Sequence, residues 1–160
     1  MQKTIIMLPA IKLVGISCRT NNLAEMEPAT AKIGATIQKY VALSTKIKHD
    51  KPSTTYCVYT NYESDFRGDY TYFIGKEVAE FNNIPAEFDT LIIPAQNYTK
   101  FTTEPGSMPM VCIEMWKKIW NMNSEELGGP RKYLADFEIY DQRATNPEHA
   151  VLDVYIGINH

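Results

Sequence analysis

Residues 136–158, DFEIYDQRATNPEHAVLDVYIGI, predict a β-hairpin in the last part of this sequence. Apolar and polar side chains alternate in DFEIYDQ, 136–142, and in AVLDVYIGI, 150–158, as they do in half-buried strands. The intervening segment RATNPEH carries asparagine, proline and charged residues, which favour a turn.

A second hairpin of the same kind is predicted at 55–78. TYCVYTNY, 55–62, and DYTYFIGKEV, 69–78, are both strand-like. The polar segment ESDFRGD between them is typical of a turn. Two predicted hairpins with the same internal order suggest a repeat, which decides the architecture if it is genuine.

The two hairpins can be aligned directly. YCVY, 56–59, matches FEIY, 137–140, at an offset of 81 residues. FIG, 73–75, matches YIG, 155–157, at an offset of 82 residues. A difference of one residue in the length of the hairpin turn accounts for the change of offset. The alignment equates Cys57 with Glu138.

An amphipathic helix is predicted ahead of each hairpin. In the first helix Pro28 suits the first turn and Pro52 follows the end. Its apolar stripe comprises Ile33, Ile37, Tyr40 and Val41. The second helix begins at about Pro109, with Ser107 as its cap. Its apolar stripe comprises Cys112, Met115, Trp116, Ile119 and Trp120.

A strand is predicted ahead of each helix. KLVGISCRT, 12–20, alternates in polarity, and DTLIIPAQNYTKFTT, 89–103, is also strand-like. Pro94 lies inside the second of these segments. Because proline cannot donate a hydrogen bond to a neighbouring strand, we expect a bulge or an edge position there.

The predicted elements therefore run β-α-β-β twice. We expect an α+β fold with a duplicated β-α-β-β repeat, a pseudo-twofold axis, antiparallel sheets, two main helices and a central ligand groove. A single domain would cover 1–160, with pseudo-repeats at about 1–80 and 88–160. Residues 79–90 would link the two repeats.

Composition narrows the function classes. The chain has 160 residues with 16 basic and 19 acidic side chains, a formal net charge of −3. This balance argues against nucleic-acid binding, which needs clustered positive charge. The sequence contains no apolar run long enough to span a membrane and no pattern of a secretory signal, so a cytoplasmic protein is expected.

The cysteine and histidine positions do not predict a metal centre or a catalytic triad. The three cysteines are far apart and none forms a Cys-x-x-Cys pair. His49, His149 and His160 are scattered, the first of them in a polar segment, KIKHDKPSTT, that resembles a solvated loop. No glycine-rich phosphate loop is present, since Gly128 and Gly129 are typical of a turn. No metal and no cofactor are expected.

Glu138 is the residue most suggestive of chemistry. Strand alternation places Phe137 and Ile139 on one face and Glu138 and Tyr140 on the other. A carboxylate in an aromatic groove could pair with a lipophilic cation, or act as a general acid or base if burial raises its pKa. The alternative is an exposed glutamate on the water-facing side of a sheet.

Aromatic residues make up 11 % of the chain, and tyrosine outnumbers phenylalanine by 10 to 6. Because each tyrosine hydroxyl needs a partner, this excess favours a lined cavity, although ordinary strand propensity would also explain it. Trp116 and Trp120 share one helix face, either as core residues or as a stacking wall. Lys117 and Lys118 between them fit the solvated face.

Several of these stretches resemble one known family. IPAQNY, 93–98, followed by Phe101 and Gly106, is similar to a strand of the GyrI-like small-molecule-binding domain with the pattern I-P-A-g-x-Y…f…G. That domain, also called the AraC-type effector-binding domain, has a SOUL-like fold. The helix that follows carries Trp116, as the helix of the family does.

The last strands continue the resemblance. DFEIY, 136–140, looks like the d-F-E-x-Y strand of the family, and DVYIGI, 153–158, looks like its closing d-x-Y-i-P-i strand, with Gly157 where proline is common. The resemblance covers nearly the whole chain. It implies a groove glutamate at Glu138. The ligand-binding residues expected from the motifs and from the aromatic pattern are Glu138, Tyr140, Trp116, Tyr98, Trp120, Tyr59, Phe73 and Tyr155.

Three functions are compatible with this resemblance. The first is a stand-alone protein that binds or senses aromatic small molecules, including cationic ones. The second is a hydrolase of strained electrophilic compounds that uses Glu138 as acid or base. The third is a modulator of DNA gyrase, which would require a protein partner. No helix-turn-helix module precedes the first predicted strand, so direct DNA binding is not expected. The oligomeric state is left open.

Overall fold

A computed structural model describes residues 2–47 and 54–160. Its eight strands are β1 Gln2–Leu8, β2 Ile11–Thr20, β3 Thr55–Thr60, β4 Tyr70–Glu77, β5 Asp89–Ile93, β6 Gln96–Thr102, β7 Ala135–Tyr140 and β8 Asp153–Ile158. Its helices are α1 Asn22–Glu25, α2 Ile33–Leu43, α3 Met110–Trp120 and α4 Ser124–Leu127, with short 3-10 turns at Ser44–Lys46 and Gln142–Ala144. The fold is α+β, as expected from the sequence.

All eight strands belong to one open antiparallel sheet. Their order is β1-β6-β8-β7-β3-β4-β2-β5. The order is symmetric about the central β3–β7 pair. Moving outward from this pair, β4 corresponds to β8, β2 to β6 and β5 to β1. β1 and β5 occupy opposite edges, and each pairs with a strand from the other half of the sequence.

Two short links force the sheet to curl. β1 and β2 are joined only by Pro9 and Ala10, and β5 and β6 only by Pro94 and Ala95. Each of these pairs is six positions apart in the sheet order, roughly 29 Å if the sheet were flat. A two-residue link spans only about 10 Å. The two ends of the sheet therefore lie close together.

The curl separates two apolar faces. On the outer face α2 packs against β2 and β4, and α3 packs against Phe101, Val154 and Ile156 of β6 and β8. The inner face holds a cluster drawn from both ends and the centre of the sheet, and no helix contributes to it. It includes Ile11, Leu13, Val58, Phe73, Ile93, Tyr98, Phe137 and Tyr155.

Both predicted hairpins are confirmed. β3 pairs with β4, and β7 pairs with β8, each in antiparallel register. The central β3–β7 pair places Cys57 directly opposite Glu138. The two positions that the sequence alignment equates are therefore cross-strand neighbours at the middle of the sheet. Glu138 lies on the outer face, toward the helices, whereas Phe137 points into the inner cluster.

The strand predictions need two corrections. β1 was not predicted, and the segment 89–103 forms two strands, β5 and β6, rather than one. Of the two positions expected for Pro94 there is no bulge, but β5, which ends at Ile93, is an edge strand. Pro94 ends pairing with β2, and after Ala95 the chain pairs with β1 and β8 at the other side of the sheet. The expected antiparallel sheets are a single sheet.

The helix predictions also need corrections. Pro28 precedes α2, which begins at Ile33 because the Glu25 carboxylate accepts hydrogen bonds from the Lys32 and Ile33 amides at 2.8 and 3.0 Å. Val41 is 64 % exposed and so lies off the buried stripe.

Two further points concern the helix ends. Pro109 occupies the cap position of α3, and no side chain caps this helix, so Ser107 does not act as predicted. The predicted α3 stripe does face the sheet.

Pro52 and His49 lie outside the described residues. Within the part of the chain that the structure covers, no helix is long and apolar enough to cross a membrane.

Candidate ligand-binding site

The Glu138 carboxylate is buried and receives four hydrogen bonds. The Trp116 indole Nε1 donates to Oε2 at 2.6 Å, and the Cys112 thiol donates to the same oxygen at 3.3 Å. The Tyr140 and Tyr59 hydroxyls donate to Oε1 at 2.8 and 3.3 Å. Glu138 as a whole is only 3 % exposed.

All four donors are neutral groups. Across residues 2–47 and 54–160 no basic side chain forms an ion pair with Glu138. Burial of this carboxyl group away from water raises its pKa above the ordinary glutamate value, and the hydrogen bonds from Trp116, Tyr140, Cys112 and Tyr59 oppose that rise. The ionised form of Glu138 is therefore hydrogen-bonded but has no cationic partner among these residues.

The donor groups are held in their neutral forms. Burial is the main cause that raises the pKa of Tyr59, Tyr140 and Cys112, and the negative charge of Glu138 raises each of them further. A phenol or thiol that stays protonated remains a hydrogen-bond donor to the carboxylate. This arrangement stabilises a single ionised group among protonated neighbours.

A cavity of about 510 Å³ lies in front of this group of side chains. Three of the four donors, Tyr59, Cys112 and Trp116, form part of its wall. Glu138 is not itself a lining residue, so its carboxylate lies one side-chain layer behind the surface. This volume falls within the range of pockets that hold small organic molecules.

Aromatic rings form much of the cavity wall. The Trp116 and Tyr59 rings meet edge to face with centroids 4.9 Å apart. The Trp120 and Phe66 rings stack at 5.7 Å with an interplanar angle of 10°. Aromatic faces carry negative charge density and attract cations as well as apolar groups.

The rim of the cavity consists of α1 and the turn between β3 and β4. Asn21 Nδ2 donates to Asp69 at 2.9 Å, and Asn22 Nδ2 donates to the Phe66 carbonyl at 2.8 Å. The Tyr70 hydroxyl donates to Asn22 Oδ1 at 2.9 Å. These bonds tie the two rim segments together and place Phe66 beside Trp120.

A second polar group lies at the cavity, next to Glu138 along β7. Asp136 is fully buried and accepts from Arg131 Nη2 and from the Tyr62 hydroxyl, both at 2.6 Å. Its other oxygen accepts from the Gly157 amide at 2.8 Å. Both Arg131 and Tyr62 line the cavity. Here the buried negative charge has a cationic partner, in contrast to Glu138.

The structure brings five of the eight predicted site residues together. Tyr59, Trp116 and Trp120 line the cavity, and Glu138 and Tyr140 lie directly behind its wall. The other three, Tyr98, Phe73 and Tyr155, are packed in the inner cluster on the opposite face of the sheet.

The reason for this separation is strand alternation. Tyr98 and Tyr155 contact each other and Phe137, which faces away from Glu138 because it is the next residue on β7. Phe73 points to the same inner side, between Tyr72 and Ile74, which pack under α2. None of the three is placed to contact a molecule in the cavity.

The sequence reasoning missed several lining residues. Tyr62 and Phe66 stand in an otherwise polar turn, and aromatic residues in such a turn are a signal that could have been followed. Arg131 follows a Gly-Gly-Pro turn and carries no local signal. The sequence also gives no local signal for α1, a four-residue helix. Its Glu25 and the neighbouring Met26 line the cavity.

Comparison with known proteins gives a consistent result. The sequence model of the Cass2 family, described as integron-associated effector binding protein, matches residues 4–158. YobU from Bacillus subtilis (strain 168), named as a candidate transcriptional regulator, is 29 % identical over 149 residues, which cover 92 % of this chain and 91 % of YobU. The resemblance to effector-binding domains is therefore confirmed.

Two solved structures are similar over almost the whole chain. An integron cassette protein from the mobile metagenome of Vibrio cholerae has a TM-score of 0.78 and 30 % identity, covering 98 % of this chain and 95 % of that one. SAV2435, in a structure bound to tetraphenylphosphonium, has a TM-score of 0.77 and 17 % identity, covering 99 % of this chain and 94 % of that one. The second comparison shows a shared fold.

Proposed function

Because the chain belongs to the Cass2 family of integron-associated effector binding proteins, we propose that it binds aromatic organic cations in the cavity lined by Trp116, Trp120 and Tyr59. The observation that carries this proposal is the buried Glu138 carboxylate. It holds a negative charge behind an aromatic wall, and only neutral groups donate hydrogen bonds to it.

Electrostatics favours a cation over a neutral molecule at this position. A positive centre in the cavity would lie one side-chain layer from Glu138. For a charge separation of about 6 Å and an effective dielectric constant of about 20, Coulomb's law gives an attraction of roughly 3 kcal/mol. Screening by water is limited here because the carboxylate is almost completely buried.

The aromatic wall adds to this preference. The faces of Trp116, Trp120 and Tyr59 attract a cation by roughly 0.5–2 kcal/mol each where the contact is made. They also remove apolar ligand surface from water at about 25 cal/mol per Å². A flat or multi-ring cation is attracted by Glu138 and also buries apolar surface against the aromatic wall. A small hydrated cation gains only the attraction to Glu138.

Similar proteins support the same class of ligand. SAV2435, which shares this fold, is bound to tetraphenylphosphonium, a lipophilic aromatic cation. YobU is named among transcriptional regulators, which supports a sensing role in which the bound molecule is the effector. We propose that the present chain binds such an effector without altering it.

Titration with tetraphenylphosphonium tests the proposal. The only two tryptophans of the chain, Trp116 and Trp120, lie at the cavity, so their fluorescence reports directly on occupancy. We expect saturable quenching in the wild type and at least a tenfold weaker affinity in Glu138→Gln, because loss of the charge removes roughly 3 kcal/mol of attraction.

The matched control is Glu148→Gln. Glu148 is exposed in the turn before β8, and its substitution changes the net charge by the same amount. We expect it to bind tetraphenylphosphonium as the wild type does. Equal affinities in Glu138→Gln and wild type would contradict the proposed role of the buried charge.

Hydrolysis of a strained electrophilic compound is the second candidate function. The observation in its favour is the raised pKa of Glu138 together with the Tyr140 hydroxyl 2.8 Å from its carboxylate. Such a carboxyl group can take a proton from water and return it to the atom released when a strained bond opens. Mass spectrometry of bound compounds distinguishes the two functions. A product heavier by one water, formed by wild type and absent with Glu138→Gln, would establish hydrolysis.

A further inference from the structure

Glu25 gives the cavity a second carboxylate, on its rim and away from Glu138. It is the last residue of α1, is half-buried and lines the cavity. Its Oε2 accepts hydrogen bonds from the Thr20 hydroxyl at 2.6 Å and the Lys32 amide at 2.8 Å, and its Oε1 accepts from the Ile33 amide at 3.0 Å. Because a carboxylate has about four acceptor sites, these bonds leave one site on Oε1.

The groups that hold Glu25 in place are neutral. Across residues 2–47 and 54–160 no basic side chain forms an ion pair with it. Of the two basic residues that line the cavity, Arg131 is paired with Asp136 at 2.6 Å, and Lys117 lies exposed in the last turn of α3. The N-terminus of α2 carries about half a unit of positive charge, which reduces the charge of Glu25 without cancelling it.

An aromatic wall connects the two carboxylates. The Tyr59 hydroxyl donates to Glu138 at 3.3 Å, and the Tyr59 ring lies 5.5 Å from the Tyr70 ring, measured between centroids. Burial raises the pKa of the Tyr70 hydroxyl, and the negative charges of Glu25 and Glu138 raise it further. Tyr70 is therefore within electrostatic reach of both carboxylates. A molecule that lies along this wall has a negative charge at each end.

The strand register sets the separation of the two carboxylates. Pairing through β3 and β4 places Glu138 level with Ile16 of β2, three strands away. Thr20, which donates to Glu25, is four residues farther along β2. These two offsets together give roughly 15–20 Å between the carboxylates. With a cation about 4–6 Å in front of each carboxylate, about 10 Å remains between the two cationic centres, the length of two linked aromatic rings.

We propose that the cavity takes aromatic dications, with one cationic centre before Glu138 and the other before Glu25. The rings of the ligand then lie along Tyr59 and Tyr70. The ligand class is a pair of quaternary ammonium or amidinium groups joined by two aromatic rings, and a monocation uses only the Glu138 end. This inference rests on the proposed function and specifies its ligand further.

Two biphenyl cations that differ in one group provide the test. The monocation is para-(trimethylammonio)biphenyl, and para,para′-bis(trimethylammonio)biphenyl adds a second permanent charge at the other end of the same rings. We expect wild type to bind the dication roughly tenfold more tightly, well beyond the factor of about two that its symmetry provides. Calorimetric titration measures both dissociation constants.

Two variants locate this preference at Glu25. Glu25→Gln removes the charge and keeps one oxygen as an acceptor for the amides of α2. Met26→Lys adds a positive charge at the same end of the cavity and leaves Glu25 with its hydrogen bonds. Met26 lines the cavity and is 77 % exposed, so this change does not disturb the core. In both variants we expect the affinity ratio to fall toward the factor of about two, while the monocation still binds.

The control is Glu27→Gln. Glu27 is exposed after the end of α1 and is not among the residues that line the cavity, yet its substitution changes the net charge as Glu25→Gln does. We expect the wild-type affinity ratio in this variant. If Glu25→Gln loosens the rim, both cations weaken together in that variant, and Met26→Lys decides.

Two results would overturn the dication site and leave cation binding intact. One is a wild type whose preference for the dication is no larger than its symmetry provides. The other is a preference that survives in Met26→Lys. If wild type binds neither biphenyl cation nor tetraphenylphosphonium, the proposed function fails and the dication site fails with it.

Discussion

At the scale of single residues, the chemistry of Glu138 depends on its partners, which are neutral hydrogen-bond donors and not a cation. Trp116, Tyr140, Tyr59 and Cys112 supply hydrogen bonds to its oxygens. Hydrogen bonds of this kind preserve the negative charge, whereas an arginine or lysine would cancel it. Asp136, two residues away, shows the other solution, with Arg131 as its partner.

The pH dependence of folding stability follows from the environment of Glu138. Burial raises its pKa in the folded state above the ordinary value of 4.5. The folded state therefore holds this proton more tightly than the unfolded state does. As pH rises from about 4.5 through the raised pKa, the free energy of unfolding should fall, because the folded state loses its more tightly held proton.

Urea unfolding of wild type and Glu138→Gln across this pH range checks the prediction. The variant has no ionisable group at this position, so it should lack this part of the pH dependence. Wild type should lose stability relative to the variant as pH rises through the window. A difference that is constant with pH, or that grows in favour of wild type, would show that Glu138 is not buried as described.

The residues of the site were only partly predictable. Alternation in DFEIY correctly places Glu138 and Tyr140 on one face and Phe137 on the other. A period of two shows which residues share a face, but not which face the helices cover. The family motif and the aromatic pattern likewise do not show which face the helices cover, so they offered Tyr98, Phe73 and Tyr155, which pack in the inner cluster.

At the scale of elements, replacement of glycine by alanine should change the free energy of unfolding in opposite directions at Gly128 and at Gly34. Gly128 ends α4 with φ of 87°, in the left-handed region, and a Cβ there would lie 2.9 Å from Ile5 Cδ1. Gly128→Ala should therefore lower the free energy of unfolding by about 1–2 kcal/mol. Gly34 lies exposed in the first turn of α2, and a Cβ there meets nothing within 4 Å.

Gly34→Ala serves as the matched control for this prediction. We expect it to raise the free energy of unfolding by about 0.5 kcal/mol, because alanine loses less backbone entropy in a helix. Chemical denaturation of the two variants under identical conditions gives the comparison. Equal effects of the two changes would mean that the backbone at Gly128 is not held in the left-handed region.

The elements with strong periodicity were predictable, and the edge strands were not. The stripe from Cys112 to Trp120 identifies α3, because five apolar side chains repeat at helical spacing. β1 is largely exposed and carries little contrast between its two faces, so no pattern marks it. β5 and β6 look continuous across Pro94, since the Tyr, Thr and Phe residues of β6 continue the strand-like composition of β5.

At the scale of the whole molecule, the position of the cavity depends on contacts that no local pattern contains. The pairing of β1 with β6 and of β5 with β2 joins distant parts of the chain and requires the sheet to curl. The helices then lie on the outer face, where α3 brings Trp116 and Cys112 to Glu138 of β7. The repeat suggested by the sequence predicts two matching hairpins about a pseudo-twofold axis, but neither the β3–β7 pairing nor this curl.

The most direct test of the central claim compares a charged and an uncharged ligand of the same shape. N-methylacridinium is a permanent cation, and acridine is its neutral counterpart at mildly alkaline pH. Their affinities for wild type and Glu138→Gln, measured by tryptophan quenching, form a double cycle. The account predicts that wild type prefers the cation at least tenfold and that the substitution abolishes this preference while acridine binding changes little. A cation preference that persists in Glu138→Gln would contradict the account.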